Sequence, residues 1–236
     1  MARQSGMAMS LAEILLLLRW LHLLFGTIWI GLLYASNLRR SAAGPKPGEA
    51  AVLEQPGQGL LRSFPWSAGA TVLFGGAYLF LVWGGNGVLR FAATPYGVTI
   101  VSGSVLGLTM FVNALLFWVI RRVPRRSSGW EPARAALIER RATLATRTNV
   151  VLSVPMLFFM AAASHYALFR QLGSARLSLW YAAVAVVVML VELNAFVGLE
   201  GFSKRPLATV RAAVGSGFAL WAMLFAIGRL LTARAS

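Results

Sequence analysis

Six runs of apolar residues divide the chain, and each is long enough to cross a lipid bilayer as a helix. The hydrocarbon core is about 30 Å thick, so a spanning helix needs roughly 20 predominantly apolar residues. The runs lie at about 15–38, 67–86, 98–120, 149–170, 179–199 and 212–232. None shows the period-two alternation of a barrel strand. The sequence therefore predicts one all-α domain over residues 1–236, an integral membrane helical bundle of about six transmembrane helices.

The composition excludes a soluble enzyme. Hydrophobic residues make up 58% of the chain and charged residues 12%, whereas soluble domains carry about 25% charge. The chain has no cysteine, which excludes disulfides, thiolate metal sites and a c-type haem attachment motif within it. If the protein handles electrons, other ligands hold the cofactor.

The basic residues indicate the topology. The loops at 39–66, 121–148 and 200–211 hold 15 of the 22 Lys and Arg residues. The charges follow loops rather than one face, so the net charge of +15 does not indicate a nucleic-acid partner. By the positive-inside rule these loops are cytoplasmic. We expect a multi-pass protein of the bacterial inner (cytoplasmic) membrane with both termini outside.

Two of these loops are predicted to contain helices. The segment Glu49–Leu61 could form a short surface helix, and Glu131–Thr146 has the pattern of a cytoplasmic amphipathic helix leading into the fourth span. We expect the arginines of the second segment to meet anionic lipid headgroups. Docking of an acidic partner protein is the alternative.

The chain has only two histidines, and both fall within predicted spans. His22 follows Arg19 by one helical turn, and His165 precedes Arg170 by five residues. Because the two spans run in opposite directions, each histidine is predicted to lie just below the outer surface with an arginine above it. Two imidazoles at similar depth on different helices suit ligation of a b-type haem iron, and arginines suit its propionates.

The residues beside the histidines could accommodate a flat ligand. Gly26 and Trp29 share the face of the first histidine, and Ala161 and Ala162 share that of the second. A quinone or substrate role is an alternative, as are hydrogen bonds between helices or histidines that face water.

Other polar residues in the spans are predicted to be structural. Glu192 lies in span 5 and should face the bundle interior or another subunit, because an uncompensated carboxylate is costly in lipid. Pairing with an arginine of the basic loops is favoured over a proton-handling role. Asn113 and Asn149 are predicted to form hydrogen bonds between helices.

Small residues in two spans predict close contacts between helices. They are the pair Gly75 and Gly76 in span 2, and Gly103 and Gly107 in span 3. The second pair has the small-xxx-small spacing that allows helix backbones to approach.

Two stretches resemble a known family. Arg19-Trp-Leu-His-Leu-Leu-Phe-Gly-Thr-Ile-Trp-Ile-Gly and the segment from Arg147 to Tyr166 are similar to the urate oxidase N-terminal domain family, the membrane part of bacterial membrane-bound urate hydroxylases. Phe64-Pro-Trp and Asn113 also resemble family positions.

The resemblance implies a membrane fold and redox work, with His22, Trp29, Pro155 and His165 at matching positions. Family members typically continue into a cytochrome c domain. This sequence has no cytochrome c motif, so the electron acceptor would be a separate cytochrome.

Three hypotheses follow. The first is a membrane subunit that binds haem b through His22 and His165 and passes electrons near the outer face, with Arg19 and Arg170 as propionate or interface partners. The second is a non-catalytic subunit of a larger respiratory or photosynthetic complex, packed against other membrane subunits. The third is a urate-oxidase-like enzyme that uses an external cytochrome. Whether the chain is an enzyme stays open.

Overall fold

The computed structural model describes residues 9–43, 58–84, 87–122, 132–165, 169 and 172–233. Over these ranges the chain is helical, with no strand. The α-helices are α1 (Leu11–Ala43), α2 (Gln58–Trp83), α3 (Val88–Ala93), α4 (Pro95–Arg122), α5 (Pro132–His165), α6 (Ser174–Phe196) and α7 (Val210–Ala233). All but the short α3 are long and apolar enough to cross a membrane. The predicted all-α membrane bundle is confirmed.

Two short elements in the connections differ from the predictions. Helix α3 and a 3-10 helix at Phe202–Leu207 were not expected. The surface helix expected at Glu49–Leu61 falls mostly outside the described residues, which resume at Gln58.

The helix expected at 131–146 is present, and it continues without a break into the fourth span as α5. The apolar part of α5 runs from Ala136 to Ala163. The span therefore begins earlier in the chain than the predicted 149–170, and His165 is the last residue of α5 that the structure describes.

Contacts between helices fix their relative directions. On α1 and α2, the Gly26 position faces Thr71 while Phe25 stacks on Phe74, so α2 runs antiparallel to α1. On α1 and α5, the Tyr34 hydroxyl lies 3.0 Å from the Ser153 hydroxyl.

The remaining helices continue the alternation. Asn113 and Gly103 of α4 meet Asn149 and Met160 of α5, so these helices are antiparallel. Helix α7 runs parallel to α5, and α6 parallel to α4. Helix α1 therefore begins on the side of the bundle where α7 ends. We call this the terminal side and the opposite one the basic side.

Helix α5 is the centre of the bundle. It contacts α1, α4, α6 and α7. In the most apolar 18-residue stretch of each helix, 67% of the residues of α5 are buried, compared with 6% of those of α1. Leu144, Val150, Leu152 and Phe159 are fully buried along it. Because most of the central helix is buried, it can carry polar residues that bond its neighbours.

The outer helices present large apolar side chains outward. Leu16 and Leu23 of α1 and Met189 and Leu190 of α6 are more than half exposed. In water so large an apolar surface would be unstable, but in a bilayer it is the surface that lipid covers. The chain is a multi-pass membrane protein whose surroundings are lipid.

Candidate functional site

The side chain of His22 lies between α1 and α2. Its Nδ1 is 2.8 Å from the main-chain carbonyl oxygen of Thr71, and the ring is half-buried. A carbonyl oxygen has no proton to give, so Nδ1 carries the proton and donates the hydrogen bond. The neutral ring is thereby held in the tautomer whose Nε2 has a free lone pair.

A glycine makes room for this ring. A Cβ added at Gly75 would lie 2.5 Å from His22 Nδ1 and 2.8 Å from Cε1, closer than atoms can approach. Any side chain at this position would therefore collide with the imidazole where it packs against α2. The adjacent Gly76 faces open space. The close approach predicted for the glycine pair is found at Gly75 alone.

Gly26 also faces α2. A Cβ at this position would meet the Thr71 side chain at 3.6 Å, an ordinary contact. The space beside this glycine is occupied by α2, so Gly26 serves the contact between α1 and α2.

Trp29 is buried, with 2% of its surface exposed, in a cluster that includes Leu33, Phe64 and Ala68. Its indole Nε1 has no hydrogen-bond acceptor among the described residues. A buried donor without a partner costs about 1–3 kcal/mol, and the indole nitrogens of Trp83 and Trp221 are in the same state.

The structure gives different amounts of information on the two arginines and the second histidine. Arg19 lies on α1, one turn closer to the terminal side than His22, and is exposed. The predicted role of Arg170 falls outside the described residues. His165 ends α5 on the same terminal side, and the structure describes its backbone position only.

The register of α1 on α5 places the two histidines at similar depth. His22 precedes Tyr34 by twelve residues, and His165 follows Ser153, the partner of Tyr34, by the same number. A second contact between α1 and α5 lies nearer the basic side and joins Thr146 Oγ1 to Asn37 Oδ1 at 3.4 Å. The register that it gives differs from that of the Tyr34–Ser153 contact by one helical turn. His165 therefore lies level with His22 to within about one turn, or about 6 Å along the helix axis.

A second polar group, deeper in the bundle, was only partly predicted. Asn113 Nδ2 donates to Glu192 Oε1 at 2.8 Å and to Asn149 Oδ1 at 3.0 Å, and Asn149 Nδ2 donates to the Met110 carbonyl at 2.9 Å. The hydrogen bonds predicted for the two asparagines are confirmed. The hydrogen bond from Asn113 to the Glu192 carboxyl group was not predicted.

The hydrogen bond of His22 is of the kind that an axial haem ligand makes. Histidines that bind metals usually donate their other ring N–H to a carbonyl or carboxylate, which sets the tautomer and orients the ring. His22 makes such a bond to Thr71, so a neutral His22 ring would have Nε2 as its electron-pair donor. The unpartnered indole of Trp29 is a further donor on the same helix face.

No family model, curated protein or solved structure matches the chain.

Proposed function

We propose that this chain is a redox-linked membrane subunit that binds b-type haem through His22 and His165 on the terminal side of the bundle. The observation that carries the proposal is the Nδ1–H hydrogen bond from His22 to Thr71, which leaves Nε2 as a ligand atom. The common depth of His22 and His165 supports it. When bound, b-type haem supplies a one-electron couple.

The residues of the chain have separate roles in this proposal. Thr71 and Gly75 orient the first imidazole, the Thr71 carbonyl by accepting the hydrogen bond from Nδ1–H and the glycine by leaving space. His165 supplies the second imidazole. Arg19, exposed one turn above His22, balances propionate charge near the membrane surface.

Trp29 and the buried residues around it exclude water from the part of this site that is nearer the basic side of the bundle. A low-dielectric surrounding favours the reduced or oxidised state according to the charge of the site, and so tunes the haem potential.

The topology supports a proposal for the side of the membrane on which this activity lies. Helix α1 begins where α7 ends, and the three basic loops lie on the opposite side. Applying the positive-inside rule to this arrangement, we infer a bacterial inner-membrane protein with both termini outside. Electrons would then pass near the outer face, to a separate cytochrome or a neighbouring membrane subunit.

The test is a reduced-minus-oxidised absorption spectrum of the purified protein expressed with haem supplied. We expect a b-type band that His22→Ala and His165→Ala each abolish or strongly reduce. Ser203→Ala, on the basic side, is the matched control and should keep the band. A wild-type spectrum without the band, from protein that is folded, contradicts the proposal.

A second candidate function is a non-catalytic subunit of a larger complex. The bond from His22 to Thr71 favours it, because a histidine that joins two helices needs no ligand. On this candidate His22→Gln, which can keep a hydrogen bond to the carbonyl, retains both stability and complex assembly. The haem proposal expects His22→Gln to lose the b-type band. The urate-oxidase-like activity stays a prediction from the resemblance, and urate turnover with an added cytochrome tests it.

A further inference from the structure

Glu192 is the only carboxyl residue of α6, and it lies inside the membrane-spanning part of the bundle. It is half-buried and one helical turn before the end of α6 at Phe196, toward the basic side. A carboxylate at such a position costs several kcal/mol unless it is paired or protonated.

The partner that the structure gives Glu192 is neutral. Asn113 Nδ2 lies 2.8 Å from its Oε1, whereas the sequence predicted pairing with an arginine of the basic loops. An amide N–H can bond to a carboxyl group but cannot neutralise its charge. The predicted arginine pairing is not found among the described residues.

The cations nearest in the fold have other contacts. Arg147, two residues before Asn149, donates to the carbonyl oxygens of Leu207 and Ala208 at 2.8 and 2.5 Å. Arg140 reaches the Leu199 carbonyl at 3.4 Å. Both guanidinium groups are turned toward the loop that precedes α7.

Among the described residues, the other elements packed against α6 place no cation in an ion pair with Glu192. The spanning part of α4, Pro95–Leu116, contains no charged residue. In the 3-10 helix, the Lys204 ammonium is buried without a partner and Arg205 lies over the Phe202 ring, 4.5 Å from its centroid. The charged residues of α7, Arg211 and Arg229, are near its two ends.

The orientation of the two amides follows from the backbone. The Met110 carbonyl accepts from Asn149 Nδ2, which turns Asn149 Oδ1 toward Asn113. Asn113 must then present Nδ2 to both Asn149 and Glu192. The carboxyl group thus receives N–H donors rather than the oxygen ligands that a metal cation requires.

We propose that Glu192 is a proton-binding site, which exchanges a proton with the aqueous phase on the basic side of the membrane. A proton removes the uncompensated charge and leaves Oε1 free to accept from Asn113. The position one turn from the helix end gives the group a short path to water. This inference is independent of haem, because it rests on α4, α5 and α6 alone.

The experiment is an infrared titration of the full-length protein in proteoliposomes, compared with Glu192→Gln. We expect the C=O stretching band of a protonated carboxyl group at low pH. The band of Glu192 is the difference between the wild-type spectrum and that of Glu192→Gln, and it should decrease as the pH rises. Glu200→Gln, which changes an exposed carboxyl group in the following loop, is the matched control and should keep the band.

Dicyclohexylcarbodiimide then locates the site. It reacts with a protonated carboxyl group in an apolar setting, and the adduct rearranges to a stable N-acylurea without loss of atoms. We expect the label on Glu192, found by mass spectrometry, with the same pH dependence as the band and equal in sodium and potassium buffers.

Three infrared or labelling results would overturn the proposal. A band absent at every pH shows a permanent carboxylate, and a band that does not change with pH shows a structural carboxylic acid without exchange. Protection from the label by sodium at constant pH shows a cation site instead.

Discussion

At the scale of single residues, the site depends on how one imidazole is held. His22 could be found from the sequence because histidine is rare here and costly in lipid. Its partner could not be found, because the acceptor is the main-chain oxygen of Thr71, and any residue at that position supplies the same atom. Similarly, the sequence does not distinguish Gly75 from Gly76, because only the orientation of α2 shows which of them lies against His22.

This difference gives a test of how the ring is held. Gly75→Ala places a methyl group where His22 Nδ1 and Cε1 lie, at 2.5 and 2.8 Å, so the ring must move away from Thr71. We expect a loss of about 1–3 kcal/mol of unfolding free energy, the usual cost of overpacking, and a lower haem content. Gly76→Ala, with nothing within 4 Å, should match the wild type in detergent titration. Equal stability and haem content for the two variants would show that α2 does not position the ring.

Lys204 gives a prediction about pH. The residue is 4% exposed and its Nζ has no partner among the described residues, and burial lowers the pKa of its ammonium below the ordinary 10.5. The unfolded chain then binds more protons than the folded one between the lowered pKa and 10.5, so unfolding free energy rises with pH through that window.

Replacing the charge should remove this dependence. Lys204→Met is expected to raise stability at neutral pH and to flatten the rise toward alkaline pH in detergent unfolding titrations. Arg211→Gln removes an exposed charge nearby and should leave the slope as in the wild type. A Lys204→Met variant with an unchanged slope would assign the pH dependence to another group.

At the scale of elements, hydrophobicity predicted which segments cross the membrane but not where helices end. A spanning segment must satisfy its own backbone hydrogen bonds in lipid, so all six apolar runs became helices. Helix α5 begins at Pro132 because the amphipathic segment and the span share one helical register. Hydropathy averages cannot show that the two segments form one helix.

Polar contacts between helices were predicted in kind but not in pairing. Asn113 and Asn149 were expected to bond across helices. Glu192 was expected to meet an arginine, yet Arg147 is taken by the carbonyl oxygens of Leu207 and Ala208. Which of several polar groups meet depends on helix packing, and the sequence alone does not specify it.

The packing of α7 on α5 can be tested with a second pair of glycines. A Cβ at Gly217 would lie 2.8 Å from Val154 Cγ2 and 2.9 Å from the Val151 carbonyl oxygen, and the backbone oxygen cannot rotate away. Gly217→Ala should therefore push α7 from α5 and cost about 1–3 kcal/mol of unfolding free energy. Gly215→Ala, which meets nothing within 4 Å, is the control. A Gly217→Ala variant as stable as the control would contradict this packing.

At the scale of the whole molecule, α5 organises the bundle and separates two polar regions. His22 lies toward the terminal side, and the group of Glu192, Asn113 and Asn149 lies toward the basic side. Between them are buried apolar residues of α5 and α1. A redox centre and a proton site on opposite sides of one bundle are the arrangement that our two proposals describe.

The orientation of the bundle can be measured because the chain has no native cysteine. Met9→Cys, at an exposed position before α1, and Ser203→Cys, exposed on the basic side, each give one labelling site. We expect a membrane-impermeant maleimide to label Met9→Cys in spheroplasts and Ser203→Cys only after permeabilisation. The reverse pattern would place the histidines near the cytoplasm and contradict the proposed sidedness.

Electron paramagnetic resonance of the oxidised protein tests whether His22 and His165 bind one iron atom together. We expect a low-spin ferric signal typical of two imidazole ligands, converted to a high-spin signal in His22→Ala and in His165→Ala. A folded protein supplied with haem that shows no low-spin signal, or one that keeps it in either variant, would show that the two histidines do not share an iron atom.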